Sequence, residues 1–134
     1  MLLLANRILI VDPKADFAQE LATLLSRKGY DVEMCKGLID AIQRIKNVKF
    51  NCVLMNTKLP EIMGPEAVPV LKAIDPGLKI IMMADENTME IEKEVRKQDV
   101  FYYYIKSFDR TELELAVSEI CKQTAQPKKN LSLL

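Results

Sequence analysis

The sequence predicts an α/β fold, a three-layer α/β/α sandwich built on one parallel five-stranded sheet with helices on both faces. Three observations predict it. Short apolar runs alternate with stretches of helical periodicity five times along 134 residues, joined by short connections. The run Cys52-Val53-Leu54-Met55-Asn56 is apolar without alternation, as in a strand covered on both faces. Each run is closed by a turn residue or a charge, and strand–helix–strand connections of this kind are right-handed crossovers.

The elements follow in order. Arg7-Ile8-Leu9-Ile10-Val11 is a buried first strand that ends at Asp12-Pro13. Pro13 suits the first position of a helix and Asp12 before it suits a cap. Phe17, Leu21, Leu24 and Leu25 then fall at helical spacing, and Gly29 after Arg27-Lys28 stops that helix. Tyr30 to Cys35 alternates, as expected nearer a sheet edge. Leu38, Ala41, Ile42 and Ile45 form a second helical stripe. After the central strand, Gly64-Pro65 opens a third helix with Val68, Leu71 and Ile74 inward and Pro69 one turn inside. Leu78 to Ala84 is the fourth strand. Glu86 to Gln98 is a charged helix with Met89, Ile91 and Val95 as its few anchors, so weak packing is expected. Phe101 to Ile105 is the fifth strand, and Thr111 to Thr124 the last helix, with Leu113, Val117 and Ile120 in register.

Composition narrows the function classes. Lys plus Arg and Asp plus Glu are 19 each, so no net field draws nucleic acid or an anionic membrane. No apolar run approaches the roughly 18–20 residues that span a bilayer, and the opening Met-Leu-Leu-Leu-Ala is too short for a signal peptide. A cytoplasmic protein is expected. Residues 1–125 read as one domain and 126–134 as a flexible tail. The chain has no histidine, which excludes a histidine-based triad. Cys35, Cys52 and Cys121 are odd in number and widely spaced, so buried free thiols are expected rather than a disulfide framework.

The central strand places Asn56 at its carboxyl end, where open α/β sheets carry their chemistry. An Asp there could act as a nucleophile, whereas an amide accepts no phosphoryl group at a useful rate. In this light the anchors Ile8-Leu9-Ile10-Val11-Asp12, Val53-Leu54-Met55-Asn56 with Leu59-Pro60 and Gly64, and Tyr103-Tyr104-Ile105-Lys106 with Phe108 stand in order. Over about residues 6 to 124 the chain resembles the receiver domain of two-component response regulators. That resemblance implies the flavodoxin-like (βα)5 fold with strand order 2-1-3-4-5.

It also implies a phosphorylation pocket, and this sequence departs from it. Asp12 matches the first acidic position and Lys106 the lysine. Pro13 stands at the second acidic position, Asn56 at the phosphoacceptor and Ala84 at the hydroxyl position. Ser107 replaces a proline, Asp99-Val100 a Gly-Ala pair, and Met63 an Asp before Gly64. Magnesium wants hard oxygen ligands, and phosphoryl transfer depends on that metal and a lysine. The expectation is therefore a degenerate pocket with its Mg2+ site lost, no cofactor and no enzymatic activity. Asn56 is expected to donate to Asp12 and accept from Lys106, and Asp12 to cap the first helix while pairing with Lys106. Tyr103 matches the aromatic that moves on phosphorylation, and the room beside Ala84 lets it rest inward.

The leading reading is a pseudo-receiver that binds a signalling partner through its fourth helix, fifth strand and fifth helix, without contacting nucleic acid or membrane. A homodimer is left open. The alternatives are a receiver phosphorylated at Asp85 or Thr57, and a small-molecule-binding module of the same fold. The latter lacks a Gly-rich phosphate cradle.

Overall fold

The computed structural model describes residues 6–125. Met1–Ala5 and the expected tail, residues 126–134, lie outside the described residues. The order is β1 (Arg7–Val11), α1 (Ala15–Arg27), β2 (Asp31–Cys35), α2 (Leu38–Asn47), β3 (Cys52–Asn56), α3 (Gly64–Ile74), β4 (Lys79–Ala84), α4 (Met89–Arg96), β5 (Tyr102–Ile105) and α5 (Arg110–Ala125). All pairings are parallel and the strand order is β2-β1-β3-β4-β5. The expected fold is the observed one.

Alternation along the strands divides the core into two layers. Ile8, Ile10, Leu54, Ile81, Met83 and Tyr104 point toward α1 and α5. Leu9, Val11, Val53, Met55, Ile80 and Met82 point the other way, toward α2, α3 and α4. Each fully buried aliphatic side chain of this kind contributes about 1.5–3 kcal/mol relative to exposure. β3 is buried at all five positions, which is why its sequence shows no alternation. β2 lies at one edge and is only half-covered.

The starts of two helices moved. The first helix starts at Ala15 with Lys14 at its N-cap, so Pro13 lies outside it and Asp12 is not its cap. Instead Asp12 Oδ1 accepts from the Lys14 amide at 2.9 Å, closing a turn before the helix. The fourth helix is shorter than expected. Glu86 and Asn87 belong to the loop because Thr88 caps the helix, its hydroxyl accepting from Ile91 N at 3.1 Å. In line with its few anchors, Val95 is the only fully buried residue of α4.

Gly29 adopts φ 96° and closes α1, with amides of residues 28 to 30 returning to carbonyls of Leu25 and Ser26. Gly64 serves a different need. Its amide donates to Thr57 O at 2.7 Å, and a Cβ there would run into the Asn56 carbonyl. The loop after Asn56 therefore folds back onto its own strand.

The thiols are as expected, with Cys52 and Cys121 buried and Cys35 half-buried. Burial, assisted by Asp40, pushes the Cys35 thiol up to about 11. At pH 8 only about one thousandth of it is thiolate. Iodoacetamide should therefore leave all three cysteines unmodified over an hour in native protein and label them after denaturation. Rapid native labelling at Cys35 would contradict this environment.

Candidate functional site

The parallel register gathers four strand ends at one edge of the sheet. Val11 lies beside Met55, Asn56 beside Met83, and Ala84 beside Ile105. The next residues along the chain, Asp12 and Lys106, thus meet above Asn56 and Ala84. Asp12 and Asn56 are each 1% exposed, and Ala84 is fully buried. Pro13 is exposed on the rim.

Lys106 is the hub. Its Nζ lies 2.8 Å from Asp12 Oδ2 and 3.1 Å from Asp85 Oδ1, and its side chain is only 8% exposed. The expected Asp12–Lys106 pair is present, held by charge at short range without good hydrogen-bond angles. The ammonium also lies 4.4 Å from the centroid of the Phe17 ring, a cation–π contact that forms one wall. Asp85 carries a second cation, with Lys14 Nζ 3.0 Å from the same oxygen. Burial pushes the Asp85 carboxyl up, but the Lys14 and Lys106 ammoniums beside it outweigh that and hold the group below its ordinary value. Its contribution to stability is therefore present above the unfolded carboxylate value and is lost as pH falls through the folded one.

Asn56 behaves differently from expectation. Its Nδ2 donates to the Lys58 carbonyl at 3.0 Å rather than to Asp12. Its Oδ1 is buried with no hydrogen-bond partner, so it accepts nothing from Lys106. The reason is local: an antiparallel bridge between Lys58 and Met63 and the Gly64–Thr57 contact turn the Lys58 carbonyl back toward the strand end. Lys106 meanwhile is drawn to the two carboxylates, which attract it more strongly than an amide oxygen.

Tyr103 is half-buried and packs against the core layer that faces α2, α3 and α4, and its hydroxyl donates to Asn87 Oδ1 at 3.0 Å on the loop before α4. The deeply buried ring is Tyr104, whose hydroxyl donates to Phe108 O at 2.6 Å and accepts from Arg110 at 2.8 Å. Arg110 ties this end of the sheet further by donating to Lys106 O and to Glu20.

Three participants were not anticipated from the sequence. Lys14 and Arg110 sit in charged stretches with no distinguishing pattern. Glu61 reaches from the β3–α3 loop to the start of α2, its carboxylate accepting from Leu38 N at 2.9 Å and Ile39 N at 3.3 Å. Those two hydrogen bonds hold its carboxyl below the ordinary value. Only Gly37 at the N-cap position, which has no side chain to cap with, hinted that α2 needed an external acceptor.

A doubly wound parallel sheet in the order 2-1-3-4-5, with a polar cluster at the carboxyl ends of its strands, defines the flavodoxin-like class. Within that class, residues 8–118 match the family model of the response regulator receiver domain, and the chain belongs to that family. The chemotaxis protein CheY of Thermotoga maritima is 27% identical over 121 residues, covering 89% of this chain and all of CheY. The transcriptional regulatory protein ZraR of Klebsiella oxytoca is 26% identical over 117 residues, 87% of this chain. Those residues are 26% of ZraR, so this chain spans about a quarter of that regulator. Among solved structures, a CheY-like receiver domain from Methanospirillum hungatei JF-1 superposes with a TM-score of 0.82 at 26% identity, covering 92% of this chain and all of that one. No helix among the described residues is long and apolar enough to cross a membrane.

Proposed function

We propose that this receiver works without phosphorylation, as a non-enzymatic interaction module in two-component signalling. The observation that carries the reading is the state of the strand-end cluster. The acceptor position holds an amide bonded to Lys58 O, and the lysine is already neutralised by Asp12 and Asp85. The donor set does not fit magnesium either. Asp12 is one carboxylate, Pro13 supplies none, and the Lys58 carbonyl is already accepting from Asn56. Among the described residues no group of three or more acidic, thiol or imidazole side chains could hold an ion. Ala84 offers no hydroxyl to a phosphoryl oxygen. On this reading Lys106 supplies the positive charge beside Asp12 that a metal would otherwise bring.

The partner surface we assign is the face formed by α4, β5 and α5. Leu115 is 65% exposed there, Phe101 lies at its edge, and the two border a shallow groove with Tyr102 and Ala116. Exposed aromatic and aliphatic groups rimmed by Glu112, Glu119 and Lys122 suit a protein partner.

Two measurements test the first part. Incubation with acetyl phosphate and magnesium should leave the intact mass unchanged. A phosphoryl adduct removed by hydroxylamine would show an acyl phosphate and overturn the proposal. Asp85 is the side chain that favours the second reading, phosphorylation at a non-standard residue, since its carboxylate is one-third exposed and touches Lys106. Peptide mapping of any adduct to Asp85 would establish it. Thr57 is buried, 1% exposed, and does not compete. In a magnesium titration followed by amide NMR, Asp12, Asn56 and Lys106 should stay unmoved at physiological concentrations. Saturable shifts there would mean that the donor set suffices.

A further inference from the structure

The flank of α4 that faces α3 carries a second surface, away from the groove beside β5. Met63, Pro65 and Ile91 form an apolar floor between the start of α3 and the first turns of α4. Glu66, Glu90 and Glu94 complete the lining, and no basic side chain belongs to it. Glu94 pairs with Lys97 at 2.9 Å. Glu66 and Glu90 have no ion-pair partner among the described residues.

Both walls are fixed without an occupant. The Lys58–Met63 bridge and the Gly64–Thr57 hydrogen bond hold the chain at Met63, and the Thr88 cap sets Ile91. Met63 is nevertheless 41% exposed, an adaptable apolar group held out to solvent. The cleft encloses about 200 Å³, below the roughly 300–1,000 Å³ of ordinary small-molecule sites. That volume suits one or two aliphatic side chains better than a cofactor. The glutamates select the charge of whatever carries them.

We infer that this cleft docks a basic amphipathic segment of a partner protein, an aliphatic side chain seated on Met63, Pro65 and Ile91 with flanking lysines or arginines against Glu66 and Glu90. The inference rests on the reading of the chain as an interaction module and adds a second, charge-selective contact to it. An amphipathic segment laid along the α3–α4 cleft leaves the β5–α5 face free, so both contacts operate together.

The probe is a short amidated peptide with two leucines flanked by lysines, titrated into the isotope-labelled full chain and followed by amide NMR. Its counterpart carries glutamates in place of the lysines. The basic peptide should give saturable shifts at Met63, Glu66, Ile91 and Glu94, and the acidic one none. The exposed double reversal Glu66→Lys with Glu90→Lys should weaken binding at least about tenfold, and Asp16→Lys, exposed on α1, should leave it unchanged. Equal binding of both peptides, shifts confined to the β5–α5 face, or no saturation by about 1 mM, the weak limit of specific recognition, would overturn the inference. None of those outcomes bears on phosphorylation. A phosphoryl adduct, conversely, would remove the proposed function while leaving the peptide data standing.

Discussion

Lys106→Met should lower folding stability by about 3–5 kcal/mol, because it leaves Asp12 buried and ionised with its cation gone. Asp85 keeps Lys14 and is one-third exposed, so it contributes less to the loss. Urea unfolding at neutral pH measures the effect. Adding Asp12→Asn to Lys106→Met should recover a large part of it, since the uncompensated charge disappears with the partner. A loss below about 1 kcal/mol for the single variant would place the pair among solvent-screened ion pairs. The central role given to Lys106 would then be wrong.

Asn56→Asp is the second large effect, with an expected cost of about 1–3 kcal/mol at pH 7. The substitution replaces the donor to Lys58 O by an acceptor, so two oxygens face each other. It also adds a third carboxylate to a cluster where Asp12 and Asp85 already share Lys106. Like charges raise the carboxyl pKa of the new group above its unfolded value. Its penalty is then full above the raised folded value and vanishes as pH falls below the ordinary carboxylate range. Melting curves at pH 7 and pH 4 should therefore show the deficit shrinking relative to the parent chain. Magnesium should restore little to the single variant. Asn56→Asp with Pro13→Asp should recover measurable metal binding, and only the further change Ala84→Thr should carry a response to Tyr103, read by NMR of that ring. A single Asn56→Asp variant that is as stable as the parent and accepts phosphate from a phosphodonor would refute the phosphorylation-independent reading.

The strands were legible because burial on two faces leaves a signature that needs no context. β1, β3 and β4 are runs of Ile, Leu, Val and Met, and each was found to within a residue. Helix starts were harder to place, since an N-terminus depends on which polar group accepts from it. Thr88 ahead of Met89 carried a readable cap signal, but the acidic residues before it resembled a first helical turn. At the strand ends the structure brings Asp12, Asn56, Ala84 and Lys106 together, and the Asp12–Lys106 pair forms. The partners of Asn56 and Tyr103 were not legible, because a side-chain amide or hydroxyl takes whichever acceptor the surrounding loops bring near. Lys58 O is brought near by the isolated Lys58–Met63 bridge, and Asn87 by the loop that follows β4. Glu61 lies 23 residues from the amide it serves, beyond the reach of any local pattern.

That distant carboxylate gives the loop after Asn56 a built-in gauge. The amides of Leu38 and Ile39 are shielded on one side by a group that belongs to the β3–α3 connection. Whenever that connection lifts away, both amides face water and trade their protons for deuterons, although α2 itself stays wound. Their exchange rates thus time the opening of a loop 23 residues away, and Glu61→Gln, which keeps the acceptor oxygen while discarding the charge, tells how much of the closing force is electrostatic.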